Sequence, residues 1–124
     1  MIGKIYTSRL PFYDIKQHKM SVKARPVLII SEERNNDHTV LPVSSVTNRK
    51  NLDKNFDVEI SPSQYPLLNI NHTSYVRTHK QTTVHIASLG KEISNLKDVY
   101  PDLFLEILSK REQWNKLIDE EALN

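Results

Sequence analysis

The 124-residue chain holds 38% hydrophobic and 26% charged residues at a formal charge of +2, the balance of one globular domain rather than of a disordered or histone-like polypeptide. It has no cysteine and only two glycines, which excludes a disulfide framework, a thiolate zinc site, a glycine-rich nucleotide loop and a serine nucleophile elbow. The opening residues carry no apolar leader, and no apolar run approaches membrane-spanning length, so a cytoplasmic location without membrane contact is expected.

In chain order, residues 3 to 8 are rich in β-formers and precede Pro11, which predicts a first strand and then a long polar loop through Lys23. Loops of that length in compact domains are often functional, and this one carries His18 among its lysines. Arg25-Pro26-Val27-Leu28-Ile29-Ile30-Ser31 is an apolar run entered through a proline, the pattern of a buried strand. Asn35-Asn36-Asp37 supplies a turn, and Thr39 to Ser45 reads as a second buried strand in a hairpin with the first. Its Pro42 points to an edge or a bulge. Phe56 to Ile60 alternates like a half-buried strand, residues 61 to 73 read as a connection with a short helical turn, and residues 74 to 88 as one or two strands ended by Gly90.

The period then changes. Asp98 is a plausible N-cap and Pro101 suits a first turn, while Phe104, Ile107, Leu108, Trp114 and Ile118 line one helical face, predicting a helix over about 98–118. Short strands followed by one amphipathic helix predict a mainly β, barrel-like domain spanning 1–124 with the helix packed on it.

Charge clusters twice. Residues 16 to 25 contain Lys16, Lys19, Lys23 and Arg25 without an acid, and residues 49 to 54 contain Arg49, Lys50 and Lys54 against Asp53. Such runs suit phosphate-facing loops and equally suit solvated surface. The five histidines lie on different elements with no helical i, i+4 pair, so no metal or other cofactor is expected. Strand alternation around residue 77 places Tyr75, Arg77 and His79 on one face. A guanidinium that neutralises a phosphate beside an imidazole that moves protons is a combination for RNA cleavage, and an exposed face would use the same residues. Tyr75 and Trp114 read as core residues rather than base-stacking platforms.

Arg25-Pro26-Val27-Leu28-Ile29-Ile30, Leu41-Pro42-Val43-Ser44-Ser45 and Tyr75-Val76-Arg77-Thr78-His79, in this order and spacing, resemble the MazF/PemK/Kid toxins, the endoribonuclease halves of bacterial type II toxin–antitoxin modules. Gly3-Lys4-Ile5-Tyr6 matches the first strand of that family, so the resemblance covers nearly the whole chain. It implies an SH3-like barrel, a homodimer, single-stranded RNA as substrate and a cognate antitoxin as partner. The implied chemistry is metal-independent cleavage to a 2′,3′-cyclic phosphate and a 5′-hydroxyl.

By the same resemblance Arg25 is a phosphate ligand, and Ser44 stands where these toxins usually have the active-site threonine, with Ser45 beside it. Arg77 resembles the catalytic arginine of Kid-type members, and His79 stands where they carry an aspartate base. His18 is a further proton carrier in the loop, and Lys19, Lys23, Arg49 and Lys50 join His18 and Ser45 as expected RNA contacts. This loop lacks the family's glycines. Two other readings keep the fold: a non-catalytic barrel that inhibits a protein target such as DNA gyrase, and an inactive RNA-binding module.

Overall fold

Two eleven-residue strands open the computed structural model, which describes residues 1–45 and 49–124 and their side chains except those of Phe12 and Arg49. β1 (Lys4–Asp14) and β2 (Lys19–Ile29) pair antiparallel from Ile5↔Leu28 to Asp14↔Lys19. The expected long polar loop is therefore mostly strand, closed by a tight turn at residues 15–18. The turn has its own chemistry: the Asp14 carboxylate accepts from the backbone N–H groups of Lys16 and Gln17 at 2.9 and 3.2 Å, and His18 takes a left-handed conformation with φ 53°. The outer half of this ribbon leaves Tyr13, Ile15, Met20 and Val22 exposed.

The other strands are β3 (Asp37–Ser44), β4 (Asp57–Ile60), β5 (Ser74–Arg77), β6 (Thr82–His85) and β7 (Leu89–Asn95). They form one antiparallel sheet in the order β4-β5-β3-β2-β1-β7, with β6 also on β3. Among the described residues, strand pairing leaves the sheet open at β4 and β7, and the fold is the expected SH3-like, mainly β arrangement with a C-terminal helix. Pro42 does not mark an edge. It pairs with Val27 inside the sheet, and it stands where β3 changes its other partner, from β6 at residues 37–40 to β5 at residues 43–44. A residue without an N–H fits that switch, because no ladder donor is lost there.

Gly90 does not end a strand. It lies in β7, against a stretch of β1 where the register shifts, and a Cβ at position 90 would stand 2.3 Å from Thr7 Oγ1. The absence of a side chain lets Thr7 Oγ1 accept from the Lys91 N–H at 2.9 Å. The helical region breaks in two, α1 (Leu96–Val99) and α2 (Pro101–Leu123). Asn95, rather than Asp98, caps α1 by accepting from the Asp98 N–H, and Pro101 starts α2, whose first N–H groups need no intrahelical partner.

The main core lies between one face of the sheet and the helices. Leu28, Leu41, Val43, Val58, Ile60 and Val76 meet Leu96, Leu103, Phe104 and Ile107, each such side chain contributing roughly 1.5–3 kcal/mol on burial. The opposite face has a smaller cluster of Val27, Ile29, Val40 and Val84 at one end. At its other end that face is polar.

Candidate functional site

Strand alternation that sends Leu28, Val43, Val76 and Val58 into the core sends Arg25, Ser44, Tyr75 and Glu59 to the other face. The registers Ser44↔Tyr75 and Glu59↔Tyr75 set the last three in one row across β3, β5 and β4. Arg25 Nη1 donates to Ser44 Oγ at 3.3 Å across the gap between β2 and β3. The gap exists because pairing between these strands stops at Val27↔Pro42, where Pro26 and Pro42 supply no N–H, and β3 turns toward β5. A cleft of about 300 Å³ opens there, reached by Arg25, Ser45 and the 69–74 segment.

The second charged group sits one strand step away. Arg77 Nε and Nη2 donate to the two carboxylate oxygens of Asp57 at 3.1 and 3.3 Å, and Nη2 also donates to the Asn51 carbonyl at 3.0 Å. The Asp57 side chain is 2% exposed and that of Arg77 21%, so this is a fork-to-fork pair at the border of the core. Arg77 lies diagonal to Ser44, a relation that spans on the order of 7–8 Å in an antiparallel pair. Its Nε and Nη2 are engaged by Asp57 and Asn51, and the Asp57 carboxylate offsets its charge.

His79 lies past the end of β5, with its side chain 8% exposed and Nδ1 3.7 Å from Asp57 Oδ1. Phe56 and Trp114 pack against its ring at centroid distances of 6.0 and 5.8 Å. Burial pushes its pKa down, and the Asp57 carboxylate only partly opposes this. A neutral imidazole covered by two aromatic rings tethers α2 to the sheet. Its ring packs on the α2 side of the sheet end, while Arg25 and Ser44 are both half-buried on the outer face.

The ribbon carries the other expected contacts. Alternation puts Lys19 and Lys23 on the same face as Arg25, both exposed, and they extend its positive charge outward. His18 is at the ribbon tip, seven residues from Arg25 and hence roughly 23 Å away at about 3.3 Å per residue, beyond proton-transfer reach within one chain. Lys50 is exposed in a 3-10 turn (Arg49–Asn51), and the Arg49 side chain falls outside the described residues. Ser45 is exposed at the cleft.

Tyr75 departs from the core placement expected for it: it stands half-buried on the outer face beside Ser44, its hydroxyl donating to Glu59 at 3.1 Å. Trp114 packs edge-on against Phe56 as a structural residue. The 69–74 segment was legible only as a connection, because its approach to Arg25 depends on three strands that are distant in sequence.

Comparison with known proteins agrees with this architecture. The family model for PemK-like, MazF-like toxins of type II toxin–antitoxin systems matches residues 2–110. Among solved structures, Mycobacterium tuberculosis toxin MazF-mt6 aligns at a TM-score of 0.56 and 24% identity, over 88% of this chain and 96% of its own. A structure described as an Mtb toxin aligns at 0.57 and 20% identity, over 85% of this chain and 99% of its own. At these identities the structures speak for the fold. No curated protein matches the chain. Since the family pattern runs from the start of β1 to the middle of α2, this chain belongs to the PemK-like, MazF-like toxins of type II toxin–antitoxin systems.

Proposed function

We propose that the protein is a metal-independent, sequence-selective endoribonuclease toxin that cuts single-stranded RNA, mRNA in the cell, and is neutralised by a cognate antitoxin. The observation that carries this reading is the Arg25–Ser44 pair, 3.3 Å apart on an open polar face that continues into Lys23 and Lys19. The guanidinium pairs with the scissile phosphate and the serine hydroxyl donates to a non-bridging oxygen, both aimed at charge that grows in the transition state. RNA supplies the nucleophile: the 2′-hydroxyl gives its proton to solvent water and its oxygen bonds to phosphorus as the bond to the 5′-oxygen breaks, and the departing 5′-oxygen takes a proton from water. The products are a 2′,3′-cyclic phosphate and a 5′-hydroxyl. Arg77, diagonal to Ser44, adds electrostatic stabilisation, and His79 holds the Asp57–Arg77 group against α2. The cytoplasm is the place of action, and a homodimer the working form.

The test is incubation of antitoxin-free protein with mixed-sequence single-stranded RNA in EDTA, alongside Arg25→Ala, Ser44→Ala and Arg77→Ala, with product ends identified. Cyclic phosphate ends that vanish with Arg25→Ala and drop about 100-fold or more with Ser44→Ala are expected, in line with losing one transition-state donor. Intact RNA after incubation with wild type overturns the enzyme reading.

A further inference from the structure

The cleft beside Arg25 has a composition that the phosphate chemistry does not use. Val43, Ile70 and Ile93 give it apolar surface, while Asn71 and His72 stand exposed at its margin. Its lining includes Lys23 and Arg25 but no carboxylate, so it favours a polar group attached to an anion over a cation. Another cleft, about 450 Å³, has three carboxylates in its lining, Glu32, Glu33 and Asp37, against one cation, Arg34, a balance less suited to an anion.

The 69–74 segment is held in place by its own bonds. Asn69 is left-handed at φ 56° and its Nδ2 donates to the Ile93 carbonyl at 3.2 Å, and Ser74 Oγ donates to the His72 carbonyl at 3.0 Å. Among the described residues, no bond within the chain engages the side chains of Asn71 and His72. An anchored backbone with uncommitted amide and imidazole tips is a pre-organised reader of hydrogen-bonding edges.

We propose that this cleft, which opens at the gap between β2 and β3, is a nucleobase subsite: it receives the base next to the phosphate that Arg25 holds, and Asn71 and His72 select that base. A volume of about 300 Å³, at the small end of ligand sites, suits one base and not a stretch of strand. The apolar floor packs against the ring, and Asn71, with both a donor and an acceptor, pairs with its polar edge. The inference rests on the reading of the outer face as an RNA site, and it assigns part of the sequence selectivity to a loop remote in sequence from the catalytic pair.

The experiment measures binding and cleavage separately. Four 2′-O-methyl homopolymer hexanucleotides, which lack the nucleophile and cannot be cut, are titrated against wild type, Asn71→Ala, His72→Ala, the double variant and Arg25→Ala. Cleavage-site profiles on unmodified mixed-sequence RNA are taken for the same proteins, apart from Arg25→Ala. Wild type is expected to prefer one homopolymer by roughly fivefold or more, the discrimination of one good base contact. The double variant loses that preference to within about twofold, whereas Arg25→Ala weakens all four alike. In the cleavage profile, the double variant still cuts but loses base preference at one position adjoining the cut.

A wild type without preference or without binding, or a double variant that retains the preference, overturns the subsite. If wild type cuts RNA and the double variant keeps the same motif, the subsite fails and the ribonuclease reading stands. If wild type discriminates among the analogues through Asn71 and His72 but leaves RNA intact, the ribonuclease reading fails and the subsite stands.

Discussion

Replacing Asp57 by alanine tests how the Arg77 side of the polar face is built. Its carboxylate accepts from Arg77 Nε at 3.1 Å, from Arg77 Nη2 at 3.3 Å and from the Asp53 N–H at 2.8 Å. Hydrogen bonds to a charged group are worth roughly 1.5–3 kcal/mol each, and breaking a buried pair from one side costs about 3–5 kcal/mol. Arg77 keeps the Asn51 carbonyl and a side chain 21% exposed to water, which places the loss near the low end, about 3 kcal/mol. Urea unfolding followed by circular dichroism should show an unchanged slope and a midpoint lowered by about 1–3 M, given slopes of about 1–3 kcal/mol per M. A double-mutant cycle with Arg77→Met should give a coupling above about 1 kcal/mol. A loss below about 1 kcal/mol for Asp57→Ala, or additive single changes, would show that the pair behaves as a solvated surface contact and refute the argument.

Other expectations follow from single contacts. Because burial holds the His79 pKa below 6.5 in the folded protein, the unfolded chain binds that proton more readily. Stability is then full above about pH 6.5 and declines as the pH falls below it; His79→Gln should flatten that part of a stability–pH curve. Ile107→Ala removes a fully buried side chain between α2 and the sheet, and a loss of about 2–5 kcal/mol is expected in denaturant titration. At Gly3, φ is +89° and a Cβ would stand 2.2 Å from Lys97 Cβ, so Gly3→Ala should lower the melting temperature by several degrees, as a loss above about 1 kcal/mol does. Residues 116–123 of α2 and the Asn124 that follows are exposed, and removing 119–124 should leave the melting temperature within about 2 °C of wild type.

The residue pattern alone determined the elements whose cause is local. The Val27–Ile29 run, the turn at Asn35–Asp37, the alternation of Asp57–Ile60 and the helical period after Pro101 each answer to hydrophobic spacing or turn chemistry within a few residues. With the motifs around Arg25, Ser44 and Arg77 they were also enough to reach the family. The β1–β2 ribbon was not legible, because its turn uses the Asp14 side chain and a left-handed His18 instead of glycine or proline, and its outer half has no buried face to set a clean alternation.

Tertiary structure decided what the candidate residues can do. Arg77 and His79 looked equivalent on a strand, but Asp57 comes from β4, and Phe56 and Trp114 from a loop and a helix. Only their meeting engages the arginine and buries the histidine. The cleft likewise exists because β2 and β3 part company after Val27↔Pro42, a break set by two prolines on different strands and by the competing pull of β5 on β3. Spacing along a chain records which way a side chain points; what it meets there depends on partners brought in from elsewhere.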